Sequence, residues 1–377
     1  MKFLVKVCAW ILSVFAGALL VLCLLSYEFI GTPWGMIKLL RTFQIVEMYY
    51  AGNVDKESLL TGALEGIVAD LEDRHSLYLD GEVLEQFTEQ TQASYAGIGV
   101  YIAASDGGKG VLVAGTVDDS PAGEAGLQRG DLIMAVDGVE TTGLPLEEVS
   151  KKIRGKADSI VTLTVLRGAE TREYTLTRRR IQLKTVAGEM VKDSDIGYIR
   201  IISFSENTGK EFGDTYEKLK SQGMKRIILD LRNNPGGLVD QAAAVANYIM
   251  PAGTTVVSYT KRDGAEEVTK TDGQEELLPL VVLVNENSAS AAEIVSGDIQ
   301  DLGLGTIVGV KTYGKGTVQG VYPVDGSDAV KLTVAKYKTA KGREIDGVGV
   351  VPDVEVKLRD GDTRDYQFDK AVELLVQ

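Results

Sequence analysis

The first long pattern in the chain is apolar and uncharged. Val7 to Leu25 is a run of 19 such residues, with Lys2 and Lys6 before it and Glu28 after it. As a helix rising 1.5 Å per residue it is about 28 Å long, enough for the bilayer core. Lysines on its N-terminal side favour an N-terminus left in the cytoplasm. A cleaved secretory signal has a shorter apolar core and a small-residue cleavage site. This run ends in Leu24-Leu25-Ser26-Tyr27 instead, and Leu22 precedes Cys23 where a lipoprotein cleavage site would want a small residue. The expectation is an uncleaved single-pass anchor in residues 1–30. Residues 31–377 then lie on the extracytoplasmic side of a cell membrane, as they would behind a cleaved signal.

The pattern then changes three times. From Met36 to about Thr91 apolar residues recur at three and four, as in Ile37, Leu40, Ile45, Val46 and then Leu60, Leu64, Ile67, Val68, Leu71. That spacing predicts helices, here a helical arm or cap over 31–94. From Tyr95 to Arg180 short alternating runs are separated by glycine turns. Ile160–Leu166 and Glu173–Thr177 read as strands, and Leu146, Val149 and Ile153 share one helix face. From 181 to 377 apolar strands alternate with helices. The strands are Gly197–Ile202, Arg226–Leu231, Leu278–Val284 and Thr306–Val310; the helices are Thr208–Gln222, Leu238–Met250 and Ala291–Asp301. Near-continuous apolar strands between helices predict a buried, mostly parallel sheet.

Composition narrows the chemistry. The chain has 377 residues, 44% hydrophobic and 25% charged, which suits folded domains. Its net charge of −14 makes it a poor partner for nucleic acid. His75 is the only histidine, which argues against a zinc site built on histidines and leaves a Ser-His-Asp triad only that residue as base. Cys8 and Cys23 both fall in the apolar segment, so the exported part has no thiol nucleophile or thiolate metal site.

Two strand-to-helix junctions offer sites. Arg232-Asn233-Asn234-Pro235-Gly236-Gly237 places two glycines where backbone amides can approach a ligand, although a plain tight turn reads the same way. Asn285-Glu286-Asn287-Ser288-Ala289-Ser290-Ala291-Ala292-Glu293 places small residues before a helix. A serine at a helix N-terminus has free amides and a favourable dipole beside it. Either serine also suits an ordinary N-cap, with Glu293 closing a capping box three residues after Ser290. A serine nucleophile needs a base, and lysine is the usual alternative to histidine. Lys315 stands between Gly314 and Gly316 after an apolar strand, an unusual place for a solvated lysine. Acting as a base requires its neutral form, and lowering its pKa from about 10.4 to about 8 costs roughly 3 kcal/mol. Burial supplies such a shift. Gln319 can accept a hydrogen bond from the amine without adding negative charge.

Two resemblances join these readings. The region 95–180, with its Gly126-Leu127-Gln128-Arg129-Gly130-Asp131-Leu132-Ile133 turn, resembles a PDZ domain. That likeness implies a groove which adds a peptide's C-terminal strand and holds its carboxylate on the Gly97-Ile98-Gly99-Val100 loop. From about Thr61 to Val356 the chain resembles the carboxyl-terminal processing proteases, a family of serine endopeptidases. The motifs that carry this are Ser288-Ala289-Ser290-Ala291, Gly314-Lys315-Gly316-Thr317-Val318-Gln319 and Val351-Pro352-Asp353-Val354. The resemblance implies an α/β core of the ββα spiral type shared with crotonase and Clp protease, carrying an inserted PDZ domain. It implies Ser290 as nucleophile, Lys315 as base, Gln319 as the lysine's holder, and oxyanion donors from Ala291 and one of Gly236 and Gly237. It also implies that the PDZ domain gates the site, with Arg154 sensing the bound tail, and that no cofactor or metal is needed. The expected partners are protein substrates with accessible C-termini, the membrane, and an activator or adaptor protein. Residues 36–91 and the helix near Tyr366–Val376 are the expected contacts of a homodimer.

Overall fold

The computed structural model describes residues 2–358, 361 and 364–376. Met1 and Gln377, the outer ends of the first and last expected segments, lie outside the described residues. The chain divides into a unit Met1–Asp80 and a unit Gly81–Gln377.

In the first unit one helix runs Lys2–Ile30, and its Trp10–Ile30 stretch is long and apolar enough to cross a membrane. The chain turns after it at Gly31, where the Ser26 hydroxyl donates to the Thr32 carbonyl (2.6 Å) and accepts from the Met36 amide (3.0 Å). Helices Gly35–Tyr49 and Lys56–Ala69 follow, the second capped by Asp55, whose side chain accepts from the Glu57 amide. The helical pattern expected over 36–91 is broken by turns after Tyr49 and after Ala69 and by a short strand, Leu77–Leu79. Its last helix, Gly81–Gln92, belongs to the second unit.

After that helix comes a two-stranded neck. Ser94–Gly97 pairs antiparallel with Arg179–Gln182, so the segment between leaves and returns at one place. That segment forms an antiparallel sheet in the order Val100–Ala104, Val111–Thr116, Leu132–Val136, Ile160–Arg167, Glu170–Thr177. Alternation explains its one-sided core: Val161, Leu163 and Val165 are buried while Thr162 and Thr164 between them are not. Helix Leu146–Ile153 lays Val149 and Ile153 on that core. The Gly126–Asp131 turn is locked by Arg167, which donates to both Asp131 oxygens (2.6 Å each) and to the Gly126 carbonyl (2.8 Å). The hydrogen-bonded Arg167 guanidinium holds the Asp131 carboxyl below the usual carboxylate range.

The remaining chain forms a six-stranded sheet in the order Val186–Met190, Ile196–Ile201, Arg226–Asp230, Leu280–Val284, Gly305–Gly309, Val354–Glu355. Every neighbouring pair is parallel except the first. Leu280–Val284 is buried along its whole length because both faces are covered. Val282 and Val284 join a core with the helices Thr208–Ser221, Val239–Ile249 and Ala291–Leu302, while Val281 and Leu283 meet Ala371 and Leu375 of helix Tyr366–Val376. A second, antiparallel sheet joins Thr317–Pro323, Ala329–Lys338, Thr255–Thr260 and Glu266–Lys270. The apolar pattern does not announce it, because its strands are short of continuous apolar runs and expose one face.

Candidate active site

The two singled-out junctions are neighbours in space, because they follow adjacent parallel strands, Arg226–Asp230 and Leu280–Val284. Ligands gather at the carboxyl ends of such strands. The first loop is tied down at nearly every residue. Arg232 donates to both Asp230 oxygens and to Asp365 and Gln367 at the start of the C-terminal helix. Burial works against its charge, but the two carboxylates outweigh burial and raise its pKa. The Tyr198 hydroxyl, also bound to Asp230 (2.7 Å), is pushed up by burial and by that carboxylate. Asn234 is fully buried; its side chain donates to the Ile201 carbonyl (2.9 Å) and accepts from the Gly236 amide (2.8 Å). Its own carbonyl accepts from the Ala289 amide (2.9 Å), which joins the first loop to the second.

That network distinguishes the two glycines. The Gly236 amide is engaged by Asn234, whereas the Gly237 amide, on the exposed face of the loop, has no partner among the described hydrogen bonds. Both positions require glycine. Gly236 has φ +92°, and a Cβ there would lie 2.7 Å from Ser290 Cβ and 2.9 Å from the Ala291 nitrogen. A Cβ on Gly237 would collide with the Phe204 carbonyl oxygen.

The two serines also separate. Ser288 is fully buried, donates its hydroxyl to the Leu231 carbonyl (2.7 Å) and accepts from the Asn285 amide (2.9 Å), so it staples the two loops. Ser290 sits at the turn into helix Ala291–Leu302 with φ 53° and ψ −116°. A residue with a side chain held there costs on the order of 1–3 kcal/mol and persists only where its surroundings impose it. The Ala291 amide that follows has no partner among the described hydrogen bonds.

Glu293 imposes much of that geometry. As a capping box requires, its carboxyl accepts from the Ser290 amide (2.9 Å). The same group, fully buried, also accepts from the Lys315 amide (2.8 Å), the Gly314 amide (2.7 Å) and the Thr312 hydroxyl (2.5 Å). One carboxyl group therefore joins the backbone of the serine turn to the backbone of the lysine loop. Gln319 lies at a bulge in Thr317–Pro323, and its amide nitrogen donates to the Thr317 (2.8 Å) and Thr333 (3.3 Å) hydroxyls. The sequence does not single out Asn234 or Thr333, and it offers Glu293 only as a helix-cap partner. Only the strand-loop-helix placement of Asn234 and Glu293 hinted at them.

Ser290, Lys315, Gln319, Gly236 and Gly237 line one cleft of about 2520 Å³, which residues of helix Gly81–Gln92 and the PDZ-like residues Tyr95 and Arg154 also line. Arg154 follows helix Leu146–Ile153, is exposed, and holds its guanidinium 4.5 Å from the centre of the Tyr95 ring. The helix end before it is fixed by the buried Arg178, which donates to the Lys152 and Ile153 carbonyls (2.9 Å each). A small cavity of about 40 Å³ lies between Ile98, Gly99, Val100, Ile102 and that helix, with Tyr95 and Arg154 at its edge. Gly97 ends the neck strand beside it, and the Ile98 and Gly99 amides have no partner among the described hydrogen bonds. His75 lies in the first unit, where its Nε2 accepts from Arg74.

Comparison with known proteins bears on this arrangement. Residues 195–356 match peptidase family S41, residues 112–167 match a PDZ domain, and residues 31–83 match the N-terminal domain of the activating protease CtpB. The chain is 37% identical over 325 residues to the carboxy-terminal processing protease CtpA of Bacillus subtilis (strain 168), covering 86% of this chain and 69% of that protein. It is 36% identical over 333 residues to a probable CtpA-like serine protease of Staphylococcus aureus (strain COL), covering 88% of this chain and 65% of that one. Among solved structures, the photosystem II D1 C-terminal processing protease is 30% identical with a TM-score of 0.50, covering 90% of this chain and 92% of that one. A putative S41 protease from Bacteroides fragilis shares the fold at 18% identity and a TM-score of 0.54, covering 89% and 96%.

Proposed function

Because this chain belongs to peptidase family S41, with the serine-type carboxy-terminal processing proteases, we propose that it is a membrane-anchored, PDZ-gated endopeptidase working through a Ser290–Lys315 dyad outside the cytoplasm. The observation that carries this reading is the convergence on one cleft of Ser290, in its strained turn, with Lys315 and Gln319. Ser290 attacks the scissile carbonyl as the neutral Lys315 amine takes its proton. The protonated lysine then gives that proton to the leaving amine, and water activated by the same amine releases the acyl group. Gln319, with its amide nitrogen held by two threonines, offers its carbonyl oxygen to the lysine. The oxyanion forms between the Ala291 amide and the Gly237 amide, since that of Gly236 is engaged.

A substrate's C-terminal strand docks along Val100–Ala104 with its carboxylate on the Gly97–Val100 loop. The cavity there, about 40 Å³, has room for only a small last side chain, and Arg154, which also lines it, reports occupancy to the cleft. Residues 2–30 anchor the chain, with Lys6 on the cytoplasmic side of the Trp10–Ile30 span. The test is proteolysis of an unfolded protein with an apolar C-terminus by the full chain, Ser290→Ala and Lys315→Ala. Wild type should cleave, and each variant should remain folded and lose at least about 1000-fold in kcat. Variants that cleave as well as wild type would sink the dyad.

A further inference from the structure

We infer that Tyr337 is a positioning residue for the hydrolysis, aiming the Ala291 amide and the lysine base through one buried hydroxyl. The inference rests on the dyad reading above. Tyr337 lies near the end of strand Ala329–Lys338 and is 1% exposed. The single proton of its hydroxyl is shared between two backbone carbonyls, mainly that of Lys315 at 2.7 Å and more weakly that of Ser290 at 3.2 Å. These two residues also give their amides to the Glu293 carboxyl. Serine and lysine are thus gripped on both sides, amide and carbonyl, by two buried groups from different elements.

The consequence follows from peptide geometry. A trans peptide is planar, and its N–H points opposite to its C=O. The carbonyl of Ser290 and the amide of Ala291 belong to one peptide, so a donor that holds the first aims the second. Two helix amides, from Glu293 and Ile294, also donate to the Ser290 carbonyl and keep it engaged from the helix side. At Lys315 both flanking peptides are fixed, the one before it by Glu293 and the one after it by Tyr337, which sets the direction of its Cα–Cβ bond. The phenol serves only as a donor at working pH. Burial raises its pKa well above the ordinary value, and the Glu293, Asp298 and Asp346 carboxyls add to that.

The test is Tyr337→Phe in the full chain, beside Ser290→Ala and Lys315→Ala, with kcat, KM and the pH profile of kcat measured. Rates are divided by the folded fraction read from a denaturant curve, so a partly folded variant still answers the question. The expected result is a kcat per folded molecule about 10- to 100-fold lower, an almost unchanged KM and a displaced acid limb of the pH profile. A kcat per folded molecule within twofold of wild type overturns the inference, and so does a loss that tracks the folded fraction alone. If Ser290→Ala or Lys315→Ala keeps activity, the dyad itself is wrong; if both lose it while Tyr337→Phe does not, only the role of Tyr337 fails.

Discussion

At the serine turn four donors converge on one fully buried carboxyl group, whereas at the PDZ edge one exposed arginine rests over one tyrosine ring. The two regions line the same cleft. The first is held from several sides, by the Glu293 carboxyl, the Tyr337 hydroxyl and the first helix amides. The second is held by an interaction worth about 0.5–1 kcal/mol at exposed sites. Chemistry that depends on an oxyanion needs donors that are already in place. A sensor needs the opposite, a resting contact weak enough for a ligand to displace. The fold gives each region the stiffness its proposed role requires.

The comparison can be broken hardest at Glu293. Glu293→Gln keeps the shape but turns an amide –NH2 toward two of four donors. Unpaired buried donors cost about 1–3 kcal/mol each, and the shared anchor of serine and lysine is lost. The expected outcome is a fall in kcat of about 100-fold or more, with a lowered denaturation midpoint. Unaltered kcat would mean that the serine turn does not depend on this group.

A smaller effect is expected at the sensor. Arg154→Ala should leave the fold intact and reduce cleavage of a tail-bearing substrate by about 10-fold, with the same substrate lacking its tail cleaved almost as before. Equal losses on both substrates would show that Arg154 serves the cleft directly rather than reporting on the tail.

The smallest effect tests stability alone and compares two acids on one helix. Asp298 is buried like Glu293, but its Oδ1 accepts only from the Ala340 amide (2.7 Å), and Oδ2 has no partner among the described residues. Burial pushes its pKa well above the ordinary 3.8, the Ala340 amide opposes that, the Asp301 charge adds to it, and Arg343 opposes it. The folded chain therefore keeps a proton that the unfolded chain releases above about pH 4. Stability from this site is highest in acid and declines as pH rises. Asp298→Asn should raise the denaturation midpoint at about pH 8, with the gain closing toward about pH 4. A gain that is independent of pH would point to packing instead.

Much of the site was legible residue by residue. Small residues between a buried strand and a helix marked the segment holding Ser288 and Ser290, and a glycine-flanked lysine after an apolar strand marked Lys315. The apolar alternation of the PDZ-like region and the continuous strands of the core were equally plain. The pattern could not separate Ser288 from Ser290, because both precede the same helix and either could cap it. The Leu231 carbonyl that takes up the Ser288 hydroxyl lies 57 residues earlier in the chain. Glu293 read as a local cap because its first partner is local. Its other three lie 19 to 22 residues onward. Tyr337 gave no signal at all, since an aromatic residue in an alternating strand is ordinary core.

By itself the sequence determined which segments are apolar enough to span or to bury, where strands turn into helices, and which residue types could do acyl chemistry. These follow from periodicity and functional-group identity, which are local properties. Only the tertiary structure decided which serine is tied away, which glycine amide is engaged, and which distant groups clamp the serine and the lysine. Those outcomes are set by hydrogen bonds between strands adjacent in space and far apart in sequence, and by the cost of leaving a buried donor unpaired.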